Sequence, residues 1–208
     1  MEIWFKLSSA LGDGGGDPIA LWLDIGYIRP KHGGNKVWAA GVYSRAGGTG
    51  DLYAASCTNT IPSLHTWHHL AVTVAGRSSY PLVYHNGVLQ TCTTSITSFG
   101  GTYYADLIGA HSFNSGSTST TAAITSSTST QYRFQGDIGE VRIWSVARTV
   151  AQISANMNTR LSGSETGLRA LYTFQSDTGV ASSTCRDETG SYSGQYIGSC
   201  SIVNRSPT

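Results

Sequence analysis

Short stretches of alternating apolar and polar residues recur along the chain, and glycine-rich turns separate them. Residues 2–7 alternate, with Ile3, Phe5 and Leu7 on one face of a strand. Residues 80–90 predict a hairpin, because Asn86-Gly87 suits a type I′ turn in which both central residues take positive φ. Evenly spaced short strands of this kind predict a β-sandwich or barrel. The other predicted strands cover residues 19–27, 36–43, 51–56, 67–74, 104–110, 133–144 and 167–175.

One segment follows a helical period instead. Thr149 can act as the N-cap, and Gln152, three residues later, completes a capping box. Ile153 and Met157 are four residues apart and therefore lie on the same helical face. We expect one short helix near residues 149–158, docked on a sheet in a structural role.

A low-complexity run, NSGSTSTTAAITSSTST, occupies residues 114–130. The run is too polar for a core strand, so we expect a long exposed loop or an edge ribbon. It can be a solvated linker, a rim loop that shapes a binding face, or an O-glycosylated surface.

Composition and charge narrow the class of protein. With 208 residues, 39% of them hydrophobic, the chain can bury a sizeable core as one domain. A formal net charge of +1 gives no electrostatic reason to expect nucleic acid as a partner. No apolar run reaches the roughly 18 residues of a membrane span. The N-terminal MEIWFKLSS lacks the basic and apolar regions of a signal peptide, so we expect neither membrane insertion nor a leader in this stretch.

The four cysteines favour an oxidising compartment. Cys57 with Cys92 and Cys185 with Cys200 are the preferred pairs, although four cysteines allow three connectivities and buried free thiols are the alternative. Neither C-x-x-C nor zinc-finger spacing occurs. Asn204 begins a lone glycosylation sequon, and a proline follows it.

The acidic residues form no evident catalytic pair. A glycoside hydrolase needs two carboxyl groups about 5–10 Å apart that face one cleft. Asp137 and Glu140 come closest, but a spacing of three residues places them on opposite faces of a regular strand. Phosphate-binding loops and nucleophile-elbow motifs are also missing from the sequence. We therefore predict no catalytic residue.

The adjacent histidines in TWHHLAVTV look reactive, but neighbouring residues of a strand point to opposite faces. His68 and His69 therefore cannot ligate one metal ion from a regular strand. We expect one of them to lie at the margin of the core, hydrogen-bonded to a neighbour, and we assign the pair a structural role.

Aromatic side chains at strand ends are the better functional signal. Such rings offer an apolar surface to the C–H face of a sugar, and nearby Asn, Asp, Arg and His side chains can bond to its hydroxyl groups. Alternatively, many of these tyrosines form cross-strand pairs that stabilise the sheet. The aromatic residues concerned are Trp38, Tyr43, Tyr53, Tyr80, Tyr103 and Tyr104, and the candidate ligand-binding residues are Tyr43, Arg45, Asp51, Tyr53, Tyr103, Tyr104, His111 and Asn114.

Three segments together resemble a known fold family. EIWFKLSS, WHHLAVTVAG with LVYHNGVLQ, and FQGDIGEVRIWSVARTVAQISANM are similar to the laminin-G-like, concanavalin A-like jelly-roll domains, and GDIG-x-V-x-x-W also resembles the pentraxins. The resemblance implies an all-β fold, an antiparallel two-sheet jelly-roll sandwich, in a single domain over residues 1–208. Residues 114–130 would form its Ser/Thr-rich loop, and residues 176–208 a C-terminal segment closed by a disulfide.

The resemblance also implies binding at the concave face or the rim loops, often assisted by Ca²⁺. The chain departs from the pentraxin pattern, because the Ser/Thr-rich run stands where the acidic and amide calcium ligands would lie. We therefore predict no certain cofactor. Ca²⁺ is the weaker alternative, with Asp51 or Asp137 as fallback ligands, and the metal ligands stay unknown.

The chain begins after the strand that relatives place before the E-x-W-F strand. Either the sequence belongs to a longer protein, or the C-terminal residues or a neighbouring chain supply that strand. An open sheet edge of this kind favours assembly by strand addition.

These observations predict a secreted or cell-surface module that binds glycans or glycoproteins without catalysis. The main alternative is a structural unit of an extracellular filament or multidomain surface protein, in contact with further copies of itself or with neighbouring domains. A glycoside hydrolase or lyase ranks last. The fold alone does not distinguish these functions, since this family includes lectins, adhesion modules, glycosidases and spacers.

Overall fold

Two antiparallel β-sheets of six strands each form the body of the computed structural model, and a two-stranded sheet lies near the C-terminus. The structure describes residues 1–8, 21–23, 26–29, 38–43, 50–57, 63–76, 78–99, 107–109, 134–175 and 184–196. In chain order the elements are β1 (Glu2–Leu7), β2 (Leu21–Leu23), β3 (Gly26–Arg29), β4 (Trp38–Tyr43), β5 (Gly50–Cys57), β6 (Trp67–Thr73), β7 (Leu82–His85), β8 (Val88–Leu89), β9 (Cys92–Phe99), β10 (Leu107–Ile108), β11 (Gly136–Trp144), α1 (Val150–Asn156), β12 (Leu168–Tyr172), β13 (Thr184–Cys185) and β14 (Gly194–Gln195).

The spatial order of the strands differs from their order in the chain. The first sheet runs β12-β11-β1-β6-β7-β8, and the second runs β10-β2-β3-β4-β5-β9. Strands β8 and β9 are consecutive in the chain but end different sheets. The chain therefore crosses from one sheet to the other along one side of the molecule, as sandwich topologies require.

One apolar core joins the facing sides of the two sheets. Alternation in β1 puts Ile3, Phe5 and Leu7 in this core, which confirms the strand predicted from the sequence. Full burial of each large aliphatic or aromatic side chain contributes about 1.5–3 kcal/mol to folding. The first sheet supplies Ile3, Phe5, Leu7, Leu70, Val72, Val83 and Val141, and the second supplies Leu21, Ile28, Ala40, Ala55 and Cys57.

Helix α1 covers the outer face of the first sheet. The Thr149 Oγ1 accepts the N–H of Gln152 at 3.3 Å, and the Gln152 side chain accepts the N–H of Thr149 at 2.9 Å, so the predicted capping box is confirmed. Ile153 is fully buried and packs with Ala71 and Tyr84. Both faces of the central strand β6 are consequently buried.

The Asn86-Gly87 hairpin turn is also confirmed, with φ of 48° at Asn86 and 79° at Gly87. The Asn86 Oδ1 accepts the N–H of His69 at 2.8 Å, which ties the turn to β6. A Cβ atom at Gly87 would lie 3.0 Å from the Ser154 Oγ and 3.3 Å from the Met157 Sδ. The turn therefore packs against α1 as well as connecting β7 with β8.

Two parts of the second sheet differ from the sequence prediction. Residues 19–27 were expected to form one strand, but the chain reverses between Leu23 and Gly26, which pair with each other in a β2–β3 hairpin. Strand β9 was not predicted, since its Thr- and Ser-rich sequence has no apolar face. It nevertheless pairs with β5 along eight residues.

The all-β, antiparallel two-sheet jelly-roll sandwich is confirmed, as is the short helix expected near residues 149–158. The extent of the domain over residues 1–208 stays a prediction. The Ser/Thr-rich run at 114–130 lies outside the described residues, as do the ends of the 176–208 segment. No helix in the described part of the chain is long and apolar enough to cross a membrane.

Candidate functional site

The structure describes three of the eight candidate ligand-binding residues. Tyr43 ends β4, and its backbone pairs with Leu52, between Asp51 and Tyr53 in the neighbouring strand β5. The sheet therefore brings these three predicted positions together. The other five lie outside the described residues: Arg45, Tyr103, Tyr104, His111 and Asn114.

Asp51 and Tyr53 lie on the inner face of the second sheet. They alternate with Ala55 and Cys57 along β5, and the latter two are fully buried in the core. Nearer the start of β5, Tyr53 and Asp51 are only half-buried. The inner face thus opens to solvent at this margin of the sandwich.

An aromatic pair bridges the two sheets at this margin. The ring of Tyr53 lies 5.6 Å from the ring of Tyr80, with an interplanar angle of 68°. This edge-to-face geometry is favourable for aromatic rings. Tyr80 precedes β7 of the first sheet and is 41% exposed. The pair therefore presents aromatic surface to solvent.

Strand β9 completes the site beside the aromatic pair. Its register places Ser98 opposite Asp51 and Ile96 opposite Tyr53, and directly opposed residues share a face. The Ser98 Oγ donates to the Asp51 Oδ1 at 3.1 Å, and Ile96 is 50% exposed. We name the five side chains Asp51, Tyr53, Tyr80, Ile96 and Ser98 the marginal cluster.

The marginal cluster combines two kinds of surface that polar, partly apolar ligands require. Its tyrosine rings and Ile96 offer apolar area, while the Asp51 carboxylate accepts hydrogen bonds and the Ser98 hydroxyl can donate or accept them. Asp51 and Tyr53 are among the residues predicted from the sequence, and Tyr80 is predicted only as an aromatic residue at a strand end. Ile96 and Ser98 were not predicted, because β9 itself was not predicted.

The adjacent histidines do lie on opposite faces. His68 faces the core, with its ring 5.7 Å from that of Phe5. His69 lies on the outer face, 5.2 Å from the ring of Trp4. Both histidines are buried, with relative exposures of 5% and 0%, whereas we expected one at the margin of the core. The reason is that α1 covers the outer face and encloses His69.

His68 takes part in a hydrogen-bonded histidine pair. Its Nδ1 lies 3.0 Å from the Nε2 of His85, and its Nε2 lies 3.0 Å from the carbonyl oxygen of Ser63. Burial, followed by the charges of His68 and His69, lowers the pKa of His85 to about 4. The pair therefore carries no positive charge on His85 at neutral pH.

A buried ionic cluster lies on the outer face beside α1. The Glu2 carboxylate is 3.4 Å from His69 Nε2, 3.4 Å from the Arg142 guanidinium and 3.8 Å from that of Arg148. Burial opposes ionisation of Glu2, but His69 and Arg142 outweigh it, so the pKa of Glu2 lies below its ordinary value. Arg142 also pairs with Glu140. We name Glu2, His69, Glu140, Arg142 and Arg148 the buried ionic cluster.

Asp137 and Glu140 share a face, contrary to the expectation from their spacing. The β1–β11 register shifts by one residue, so Asp137 opposes Lys6 while Glu140 opposes Trp4. Such a bulge reverses the alternation locally. Both acids are neutralised: the Lys6 Nζ lies 2.6 Å from the Asp137 Oδ2, and Glu140 pairs with Arg142.

Metal ligands and disulfides were also predicted from the sequence. The described residues contain no group of three or more His, Cys, Asp or Glu side chains that could hold a metal ion. Cys57 and Cys92 are directly opposed in β5 and β9 and form the predicted disulfide. Cys185 is buried at the start of the β13–β14 hairpin, and its predicted partner Cys200 lies outside the described residues, as does Asn204.

The fold and the site together define an antiparallel jelly-roll sandwich with an aromatic and acidic cluster at its margin. The family model for the concanavalin A-like lectin/glucanases superfamily matches residues 1–154. The chain therefore belongs to this superfamily, which confirms the resemblance seen in the sequence. No curated protein sequence matches the chain.

One solved structure shares the fold across most of the chain. It is described as a "putative carbohydrate binding protein" from Bacteroides ovatus ATCC 8483. The TM-score is 0.61 at 17% sequence identity, and the match covers 93% of this chain and 50% of that one. The chain thus spans half the length of that protein, and at this identity the similarity shows the fold alone.

Proposed function

We propose that the protein is a non-enzymatic carbohydrate-binding module whose ligand contacts the marginal cluster. The observation that carries this proposal is the Tyr53–Tyr80 ring pair beside the Asp51 carboxylate, on a part of the inner face that is partly exposed to solvent. A sugar ring could stack on the exposed aromatic surface while its hydroxyl groups bond to Asp51 and Ser98. Membership in a superfamily that includes lectins supports this function.

A binding role accounts for the acidic residues better than a hydrolytic one. The superfamily also includes glucanases, and the bulge in β11 brings Asp137 and Glu140 to one face. However, each carboxylate is held in an ion pair, with Lys6 and Arg142 respectively. Hydrolysis needs two carboxyl groups that face a sugar in one cleft, whereas these two already bind cations of the protein.

The proposed location is the cell surface or the extracellular space, where the module would bind glycans or glycoproteins in adhesion. The Cys57–Cys92 disulfide supports this location, since such bonds persist in oxidising compartments. A glycan array probed with the purified protein, with added Ca²⁺ and with a chelator, tests the function and the calcium alternative together. Binding to no saccharide at high micromolar protein concentration would overturn the proposal.

Two substitutions then test the site itself. Tyr53→Ala and Tyr80→Ala should each weaken binding of the best array ligand about tenfold or more, or about 1.4 kcal/mol, in isothermal titration. Tyr192→Ala is the matched control, because Tyr192 is 57% exposed and lies in the C-terminal segment. Unchanged affinity in both cluster variants, with native circular dichroism, would place the binding site elsewhere.

A structural unit of an extracellular assembly is the second candidate function. The exposure of six consecutive residues of the edge strand β9 favours it, because uncovered edges pair with other strands. Ordered polymers in negative-stain images would support this candidate over the first, whereas discrete particles of one size would contradict it.

A further inference from the structure

The free edge of β9 lacks the usual protection against strand pairing. β9 is the outermost strand of the second sheet, and among the described strands it pairs with β5. Residues 93–98 are all exposed. Natural edge strands are generally short, charged or interrupted by proline. β9 has eight residues, CTTSITSF, without a charge or a proline. By contrast, β8, the edge strand of the first sheet, is only two residues long.

The unused backbone groups of β9 can be assigned from the β5–β9 ladder. Cys92 lies opposite Cys57 with a Cα–Cα distance of 3.9 Å, and so short a distance identifies a pair that exchanges no backbone hydrogen bonds. The alternation of an antiparallel ladder then repeats at every second residue. The N–H and C=O groups of Thr94, Ile96 and Ser98 therefore point away from β5, towards the free edge.

We propose that β9 pairs antiparallel with β9 of a second copy of this chain, about a twofold axis at Ile96. Such an axis stands perpendicular to the sheet, so inner-face residues of one copy meet inner-face residues of the other. Ile96 then opposes itself, and Thr94 opposes Ser98. The groups that point outward form three hydrogen-bonded pairs with about six bonds in all.

The composition of β9 favours a second copy as its partner. Around a twofold axis each residue meets itself or a near neighbour, so a charged strand would face its own charge. β9 carries none, and its Thr and Ser side chains suit cross-strand pairing. The exposed Ile96 side chains would become covered at the centre of the seam, which removes apolar area from water.

The dimer would join the two second sheets into one continuous sheet. Both marginal clusters would lie on the same side of that sheet and meet at the β9 seam, since Ile96 and Ser98 lie on β9 and Asp51 and Tyr53 lie on the adjacent β5. A ligand with repeated sugar units could then occupy both sites, and the linked sites would bind it with an increased effective concentration. This bivalent binding rests on the proposed function, whereas the dimer rests on β9 alone.

The mass of the protein in solution tests the proposal. Sedimentation velocity of the purified protein at about 100 µM should give a dimer. Thr94→Pro removes an N–H that points to the free edge, not to β5, so this variant should fold with β9 in place and become monomeric. Ile96→Lys should also give a monomer, because two lysines would face each other. Val150→Lys is the control, since Val150 is 49% exposed on α1.

A crosslinking experiment checks the register. Ile96→Cys should form a disulfide-linked dimer under mild oxidation, because residue 96 opposes itself, while Thr93→Cys should not, because its two copies lie about six residues apart along the strand, or roughly 20 Å. A monomer at every concentration, a polymer, or a dimer unaffected by Thr94→Pro and Ile96→Lys would each overturn the proposal. Sugar binding by a monomeric Thr94→Pro variant would leave the proposed function intact.

Discussion

At the scale of single residues, one buried carboxylate organises the C-terminal segment. Asp187 is 1% exposed and accepts the backbone N–H groups of Leu171, Thr189, Ser191 and Tyr192 at 2.8–3.1 Å. Burial alone would raise the pKa of Asp187, but these hydrogen bonds outweigh it and the pKa lies below its ordinary value. The ionised form therefore stabilises the fold by attaching this loop to β12.

Asp187→Asn should lower the free energy of unfolding by about 3 kcal/mol at pH 7, because hydrogen bonds to a charge are lost and the amide NH₂ faces other donors. Urea denaturation measures the change. Arg186→Gln is the control, since it removes an exposed pair with Glu188 at 3.6 Å and should cost less than about 1 kcal/mol. The Asp187 contribution is present above its unfolded pKa of 3.8 and is lost as pH falls below it. Equal stability of wild type and Asp187→Asn at pH 7 would contradict the prediction.

At the scale of elements, burial decided which strands could be predicted. β1 and the capped helix α1 carry strong signals, because one side of each is apolar and packs on the other elements. β9 carries no such signal, since residues 93–98 are exposed on both faces. Two of the five residues of the marginal cluster, Ile96 and Ser98, were therefore not predicted, and the approach of Tyr80 to Tyr53 from the other sheet was not predicted either.

Two further differences come from contacts between elements that are distant in the chain. The shift of register opposite Gly139 depends on how β11 pairs with β1, and it places Asp137 and Glu140 on one face. The burial of His69 depends on the position of α1. Local alternation correctly separated His68 from His69, but it cannot show what covers each face.

The docking of α1 depends on a residue of the sheet beneath it. The Arg142 guanidinium donates to the carbonyl oxygens of Asn156 at 2.9 Å and Thr159 at 2.8 Å. The Asn156 carbonyl lies at the end of α1 and also accepts the N–H of Thr159 at 3.0 Å, and Thr159 lies three residues beyond the helix. Arg142 also pairs with Glu2 and Glu140 in the buried ionic cluster. One side chain thus satisfies both the helix end and two buried acids.

Arg142→Met should destabilise the protein by about 3 kcal/mol, because it leaves Glu140 without its cation and removes one of the two arginines beside the buried Glu2. Hydrogen exchange should also show faster exchange in α1 than in the wild type, in addition to the lower urea midpoint. Arg169→Met serves as control, since Arg169 is exposed on β12. Protection of α1 equal to that of the wild type in Arg142→Met would show that the arginine does not hold the helix.

At the scale of the whole molecule, the same side of the sandwich carries the candidate site, the free edge and the histidine pair. β7 and β8 end the first sheet, and β5 and β9 end the second. His85 lies on β7 and hydrogen-bonds to His68 at 3.0 Å. This bond requires at least one neutral ring, because two imidazolium ions would present only N–H groups to each other. The packing of β7 against β6 is therefore sensitive to pH.

The free energy of unfolding should fall as pH decreases from about 6.5 to about 4, the unfolded and folded pKa values of His85. In this window the unfolded chain binds a proton that the folded protein excludes, so protonation favours unfolding. We expect a loss of about 1–2 kcal/mol, less than the full shift implies, because solvent screens a half-buried ring. Urea denaturation between pH 7 and pH 4.5 measures it. His85→Gln should remove most of this loss. The further decrease in the free energy of unfolding at lower pH should remain, because Glu2 and Asp187 become protonated there. Identical pH profiles for wild type and His85→Gln would show that His85 is not the group responsible.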